Sequence, residues 1–312
     1  MGLKKIIFIL FILISIVSYI VLNPEKNHNI STKRDSIVVS TFALYDAAKN
    51  ISKDKFELSS VLPFGTDAHN YEITPKKMAK IQNSSLFVYS GASLEPWISK
   101  ISSSNTLDMS KYVDLIHFEE DEHKHEHHGH AHEEDEHGEK IDPHYWLDLN
   151  NMIKISEKLT AEFSKLSPEN KDFFESNKNA YINTLTKMHE KYKKDFSTCK
   201  KDTIIVNHNA FSYLGKSYNF HIESINGLST ESMPSPSDVK HILHKIKEKE
   251  ISIIFFESFA SDKLIKSIAD DADVKVDILQ PLGNITKDEK DLTYIHIMNE
   301  NIRKIKQALE CR

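Results

Sequence analysis

The sequence contains little cysteine, glycine or proline, with 2 Cys, 8 Gly and 9 Pro among 312 residues. Two cysteines exclude a small scaffold held together by several disulfide bonds, so the fold must depend on hydrophobic cores. At about 100–200 residues per domain, the length predicts two domains. The composition, with 39% hydrophobic residues, is not that of a disordered chain.

An excess of basic residues is also missing. The chain has 40 Lys and Arg against 46 Asp and Glu, which gives a formal net charge of −6. Binding to nucleic-acid phosphates needs clustered Lys and Arg, so we exclude nucleic acid as a partner.

Only one long hydrophobic run is present, over residues 6–22, and it follows the basic pair Lys4 and Lys5. This order is typical of a secretory signal peptide. Since a run of about 17–25 residues can cross a bilayer, an uncleaved anchor over residues 1–22 is the alternative. We expect the rest of the chain to lie outside the inner membrane, in the periplasm. In that oxidising space Cys199 and Cys311 could form a disulfide, although the sequence gives no distance between them.

Short apolar stretches alternate with helical patterns from residue 35 onward. This alternation predicts an α/β fold of parallel sheets with helices on both faces. A long helix is expected over residues 166–198, and at about 45 Å it is longer than one domain core, so it should span both domains. The resulting organisation is an N-terminal lobe at 35–165, a linking helix at 166–198 and a C-terminal lobe at 199–312. Strands are predicted at 36–40, 56–62, 85–89, 203–206, 251–256 and 274–279, and further helices at 42–50, 75–82, 238–248, 261–270 and 292–309.

Histidine is unusually frequent, and nine of the 17 histidines fall between His117 and His144. Residues 119–140 hold ten acidic residues and seven histidines without apolar periodicity, which predicts a flexible loop. Carboxylates raise the local cation concentration, so we expect weak, multiple zinc binding by the loop imidazoles. A solvated charged loop or a pH-responsive tract are the alternatives. The loop imidazoles belong to His123, His125, His127, His128, His130, His132 and His137.

Three other histidines stand where loops begin. His69 and His208 follow predicted strands, and His144 follows the acidic loop. Ligands of open α/β sheets bind at the carboxyl ends of strands, and three imidazoles suit zinc. Spacings of 75 and 64 residues carry no local ligand signature, however, so a surface or core role for each histidine stays open.

Four motifs settle this question by resemblance. They are GTDAHNYE at residues 65–72, YSGASLEPW at 89–97, DPHYWLD at 142–148 and VNHNAF at 206–211, and STESMPSP at 229–236 and FE at 256–257 fit the same pattern. In this order, over about residues 35–310, the chain resembles the metal-binding solute receptors of ABC importers, also termed cluster A-I or cluster 9. The resemblance is closest to the zinc receptors of that family.

The resemblance implies two α/β lobes joined by a rigid helix, with one metal ion in the cleft between them. His69 and His144 would come from the first lobe and His208 from the second. The implied partners are a zinc ion and a membrane permease with its ATPase, and we expect a monomer. Manganese and iron receptors usually carry Glu at the position of His208 and Asp near position 280. Here Gln280 is at most a weak fourth ligand, and the softer imidazoles favour zinc.

The sequence is compatible with three other functions. A receptor for manganese or another divalent metal is the nearest alternative. A zinc hydrolase would also use three histidines and an open coordination position, but the sequence has no His-Glu-x-x-His motif and no obvious general base, so we expect no enzymatic activity. A zinc buffer or adhesin at the cell surface is the third.

Overall fold

The computed structural model describes residues 35–118, 140–225, 235–257 and 263–312. Contacts group residues 35–312 into one compact unit. The predicted signal or anchor at residues 1–22 and residues 119–139 of the predicted loop lie outside the described residues. Within the described ranges, no helix is both long and apolar enough to cross a bilayer.

The first sheet has four parallel strands in the order β2-β1-β3-β4. Its central strands are β1 (Ser36–Val39) and β3 (Leu86–Tyr89), which are almost fully buried because helices cover both faces. The edge strands are β2 (Glu57–Ser60) and β4 (Thr106–Asp108), and both are more exposed. Helix α1 covers Phe42–Ser52. Helix α2 covers Pro75–Gln82, and Thr74 caps it by accepting a hydrogen bond from the backbone nitrogen of Lys77.

A short antiparallel hairpin follows. It pairs β5 (Ile116–Phe118) with β6 (Lys140–Asp142), and Phe118 faces Lys140 across the ladder. Lys140, the last residue of the predicted loop at 119–140, belongs to β6 instead. The 3₁₀ turns of this half of the chain are Pro96–Lys100, Met109–Tyr112 and Tyr145–Leu147.

Two long helices connect this half to the second sheet. They are α3 (Leu149–Leu166), which was not predicted, and α4 (Lys171–Phe196), separated by the 3₁₀ turn Pro168–Asn170. At 26 residues α4 is about 39 Å long. On the first lobe, the hydroxyl of Tyr181 donates to Asp46 over 3.4 Å.

At its other end α4 contacts the second half, where Phe196 stacks on Tyr218 with centroids 5.3 Å apart. The long helix therefore spans both lobes, as predicted. Most of its predicted apolar stripe is buried, but Phe173 is 37% exposed.

The second sheet repeats the arrangement of the first, with parallel strands in the order β10-β9-β7-β8. The central pair, β7 (Thr203–Val206) and β9 (Ile253–Phe256), is buried, and the edges β8 (His221–Ser224) and β10 (Lys275–Ile278) are more exposed. The remaining helices are α5 (Ser212–Tyr218), α6 (Pro236–Glu248), α7 (Lys263–Ala272) and α8 (Tyr294–Ala308), with a 3₁₀ turn at Lys287–Glu289. The fold is thus two parallel-sheet α/β lobes, as predicted.

Candidate metal centre

The three histidines that follow strand ends meet at one point between the lobes. The Nε2 atoms of His69 and His144 are 3.2 Å apart, and one ring nitrogen from each of His69, His144 and His208 lies within 4.8 Å of the others. Two nitrogens bound to one tetrahedral zinc at about 2.0–2.1 Å would be about 3.3 Å apart. The spacing of His69 and His144 therefore suits a shared metal ion.

His69 is held by a turn in the loop after β2. The Asp67 carboxylate accepts a hydrogen bond from the His69 backbone nitrogen over 2.9 Å. Earlier in the same loop, the carbonyl oxygens of Pro63 and Thr66 accept hydrogen bonds from the side chain of Asn284, over 2.6 and 2.8 Å. Asn284 belongs to the second half of the chain. The second half of the chain thus helps to fix the loop that carries a first-lobe ligand.

His144 is only 2% exposed and is fixed by Asp142, the last residue of β6. The Asp142 Oδ1 atom accepts both from the His144 backbone nitrogen, over 2.9 Å, and from its ring Nδ1, over 2.8 Å. A carboxylate on Nδ1 fixes the tautomer that carries its proton there, which leaves Nε2 with a free lone pair for a metal.

His208 has the same kind of support from a neighbouring strand. It lies two residues after β7, and its Nδ1 is 2.5 Å from the Glu257 carboxylate, which directly follows β9. Since β7 and β9 are adjacent and parallel, their carboxyl ends meet at one edge of the sheet. Asn207 ties the two ends together by accepting from the Glu257 backbone nitrogen over 3.1 Å.

Asp142 and Glu257 were not predicted to have a role. Both stand in motifs that carried the resemblance, and an acidic residue two positions before His144 was a usable signal. Glu257 lies 49 residues from His208, so only the strand order reveals their contact.

The site favours the neutral form of His69, which a metal requires. The pKa of His69 is lowered to about 3, mainly by burial and in part by repulsion from the nearby His144 and His208, whereas Asp67 acts in the opposite direction. The lining combines the three imidazoles with four other polar residues and five apolar ones. It consists of Thr66, Asp67, Ala68, His69, Leu94, His144, Trp146, His208, Glu257, Pro281, Gly283 and Asn284.

Gln280 is not among these lining residues. Its side-chain nitrogen donates to Glu289 over 2.6 Å, and its backbone pairs with Asn301. These contacts give no support to the predicted role of Gln280 as a weak fourth ligand.

The two cysteines are joined by a disulfide in the structure, which links the end of α4 to the end of α8. The seven histidines of the predicted weak zinc sites lie outside the described residues.

Two α/β lobes that present three imidazoles at one point, two of them buried, define a metal-binding protein of the two-lobed class. The family profile described as "Zinc-uptake complex component A periplasmic" matches residues 37–308, and the chain belongs to this family. The predicted resemblance is therefore confirmed.

Individual relatives agree with the family assignment. The chain is 34% identical over 297 residues to the high-affinity zinc uptake system protein ZnuA of Bacillus subtilis (strain 168), covering 92% of each chain. It is 28% identical over 293 residues to the manganese ABC transporter substrate-binding lipoprotein PsaA of Streptococcus pneumoniae, covering 89% of this chain and 90% of that protein.

A solved structure is also similar. The Zn(II)-bound ZnuA-like domain of Streptococcus pneumoniae AdcA superimposes with a TM-score of 0.73 at 28% identity, covering 89% of this chain and 99% of that one. The relatives named here thus include proteins named for zinc and one named for manganese.

Proposed function

We propose that this protein binds one zinc ion tightly outside the inner membrane and delivers it to the permease of an ABC importer, which works with its own ATPase. The observation that carries the proposal is the convergence of three imidazoles from the two lobes, with His144 and His208 almost fully buried. The family and the relatives named for zinc uptake and for ABC transport support it.

The donor set favours zinc over manganese. Manganese is best matched by carboxylate and carbonyl oxygens, whereas zinc is well matched by imidazole nitrogens. The carboxylates in contact with the ligands are already hydrogen-bonded, those of Asp142 and Glu257 to ring Nδ1 atoms and that of Asp67 to the His69 backbone nitrogen. The same engagement argues against a hydrolase, since a catalytic zinc needs a carboxylate or another base that can activate its bound water.

The proposal is tested by zinc titration of the mature protein against a competing chelator. We expect one tight site, and we expect His69→Ala, His144→Ala and His208→Ala each to weaken it by orders of magnitude. His221→Ala is the matched control, because His221 is an exposed imidazole on β8. A tight site that survives His208→Ala would contradict the assignment.

Two further measurements separate the alternatives. A competition between manganese and zinc should favour zinc, and a preference for manganese would identify a manganese receptor instead. Deleting the gene should impair growth in zinc-poor medium, and zinc should restore growth. Normal growth without the gene would favour a zinc buffer or an adhesin.

A further inference from the structure

Tyr213 lies on α5 in the second lobe and reaches the first lobe. Its side chain is 3% exposed, and its hydroxyl makes two hydrogen bonds. It donates to the carbonyl oxygen of Asp142 over 2.8 Å and accepts from the backbone nitrogen of Ile116 over 2.9 Å. Ile116 and Asp142 face each other across the β5–β6 hairpin, so one hydroxyl holds both strands of the hairpin.

The two residues of this contact, Asp142 and Tyr213, each lie within five residues of a metal ligand along the chain. Asp142 precedes His144 by two residues and orients its ring. Tyr213 follows His208 by five residues, and the intervening Ala210 and Phe211 are buried. The backbone nitrogen of Ala210 also bonds to the His208 carbonyl, so the chain from His208 to α5 is tightly folded.

From this geometry we propose that Tyr213 is a positioning residue, whose hydroxyl fixes the first-lobe ligand His144 relative to the second-lobe ligand His208. Tyr213 does not touch the metal and acts through Asp142. This inference rests on the proposed function, because it assigns Tyr213 a part in the affinity of the same site. Without the hydroxyl, the Asp142 carbonyl and the Ile116 amide lose a buried partner, and the hairpin end that carries His144 is free to shift.

The test compares Tyr213→Phe with Tyr192→Phe in the otherwise intact protein. Tyr192 is equally buried, and its hydroxyl bonds to Asn299 between α4 and α8, away from the metal centre. Loss of a residue that supports a metal ligand through hydrogen bonds weakens metal binding by about 10–100-fold. We expect zinc affinity to fall about tenfold in Tyr213→Phe and to change less than about twofold in Tyr192→Phe.

Two readouts distinguish positioning from a general loss of structure. The visible spectrum of bound Co²⁺ reports the coordination geometry, and it should change in Tyr213→Phe but not in Tyr192→Phe. In a His144→Ala background, Tyr213→Phe should have almost no further effect on zinc affinity, because the ligand that it positions is gone.

The inference is overturned if Tyr213→Phe matches the unmodified protein in zinc affinity and in the Co²⁺ spectrum. It is also overturned if the substitution weakens zinc binding equally with and without His144. If the unmodified protein has no tight zinc site, the proposed function fails first, and this result is distinct from both of the others.

Discussion

The two faces of the second sheet pack into different hydrophobic cores, whereas the first sheet packs into one. Along β7, Ile204 and Val206 belong to the main core. This core also includes the buried apolar residues of the first lobe and most of those of α4. Ile205, between Ile204 and Val206, packs with α6 and α7 instead. The same alternation occurs on β9 at Ile254 and Phe255, because successive side chains of a strand point to opposite faces.

The metal centre belongs to the main core. Three of the apolar residues that line it, Ala68, Leu94 and Trp146, lie in that core. The other cluster, here called the outer cluster, includes none of the lining residues. It consists of Ile205, Ile225, Ile242, Ile246, Ile251, Ile254, Ile268 and Ala269. The outer cluster can therefore stabilise the second lobe without affecting the geometry of the metal centre.

The largest effect is expected from Ile254→Ala, which leaves a cavity in the outer cluster. Truncating a buried isoleucine to alanine costs about 2–5 kcal/mol of unfolding free energy. Zinc affinity of the folded protein should change less than about twofold, since no site residue packs there. Urea denaturation and zinc titration measure the two quantities.

Ile253→Ala is the matched variant, because it removes the same atoms from the neighbouring residue, which faces the main core. It should lower stability by a similar amount. A tenfold loss of zinc affinity in Ile254→Ala would show that the outer cluster and the site are not separate.

The next largest effect is expected from Glu257→Ala, which changes the metal centre instead of the outer cluster. His208 loses the carboxylate that fixes its ring, and zinc affinity should fall about 10–100-fold. Glu223→Ala on edge strand β8 is the control, since among the described residues the Glu223 carboxylate pairs with His241 over a long 3.9 Å and does not line the metal centre. Equal zinc affinities of Glu257→Ala and the unmodified protein in titration would contradict the role of Glu257.

A smaller effect is expected from Asn284→Ala, which releases the loop that carries His69. We expect about a tenfold loss of zinc affinity, at the lower end of the range for groups that support a ligand. Asn177→Ala is matched to it, because Asn177 also donates to a backbone carbonyl, that of Ile51, but away from the site. The idea fails if both variants change the zinc titration equally.

The smallest effect on the tight site is expected from replacing residues 119–139 with a short turn. Phe118 and Lys140 already face each other, so a tight hairpin can connect them. Fold and tight site should persist, and the additional weak zinc sites should disappear. Calorimetric titration checks both, and an unchanged stoichiometry at neutral pH would leave the segment without a role in zinc binding.

In the intact protein, the pH dependence of zinc binding should distinguish the histidines of the weak sites from His69 of the tight site. A protonated imidazole cannot bind metal, so the weak sites should be lost as pH falls below about 6.5, the ordinary His pKa. The pKa of His69 is lowered to about 3, so this residue stays neutral over that range. Loss of the tight site before the weak sites, in titrations at pH 7.5 and 5.5, would contradict this order.

Much of the fold was predictable from the apolar pattern. Helix α2 and strand β7 have the predicted bounds, and the buried central strands all stand in predicted segments. The edge strands β4 and β8 were missed because each contributes few apolar residues. Helix α3 was missed although Ile155, Leu159 and Phe163 are spaced as on one helical face.

The site was predictable only in part. The positions of His69 and His208 after predicted strands and of His144 after the acidic loop, together with the motif resemblance, pointed to the imidazoles that meet in the structure. The disulfide was left open, because the sequence separation of 112 residues says nothing about distance. Gln280 is a candidate fourth ligand because related receptors usually carry Asp near this position. Its hydrogen bond to Glu289 depends on tertiary packing and is not visible in the sequence.

The amino-acid sequence encodes the alternation of strands and helices and supplies the three imidazoles of the metal centre. Only the tertiary structure decided which groups orient those imidazoles. The Glu257 carboxylate reaches His208 because β9 lies beside β7, and Tyr213 reaches Asp142 because α5 packs on the hairpin of the first lobe. The physical reason is that the apolar pattern encodes which residues are buried, whereas contacts between distant segments follow from strand order and lobe packing.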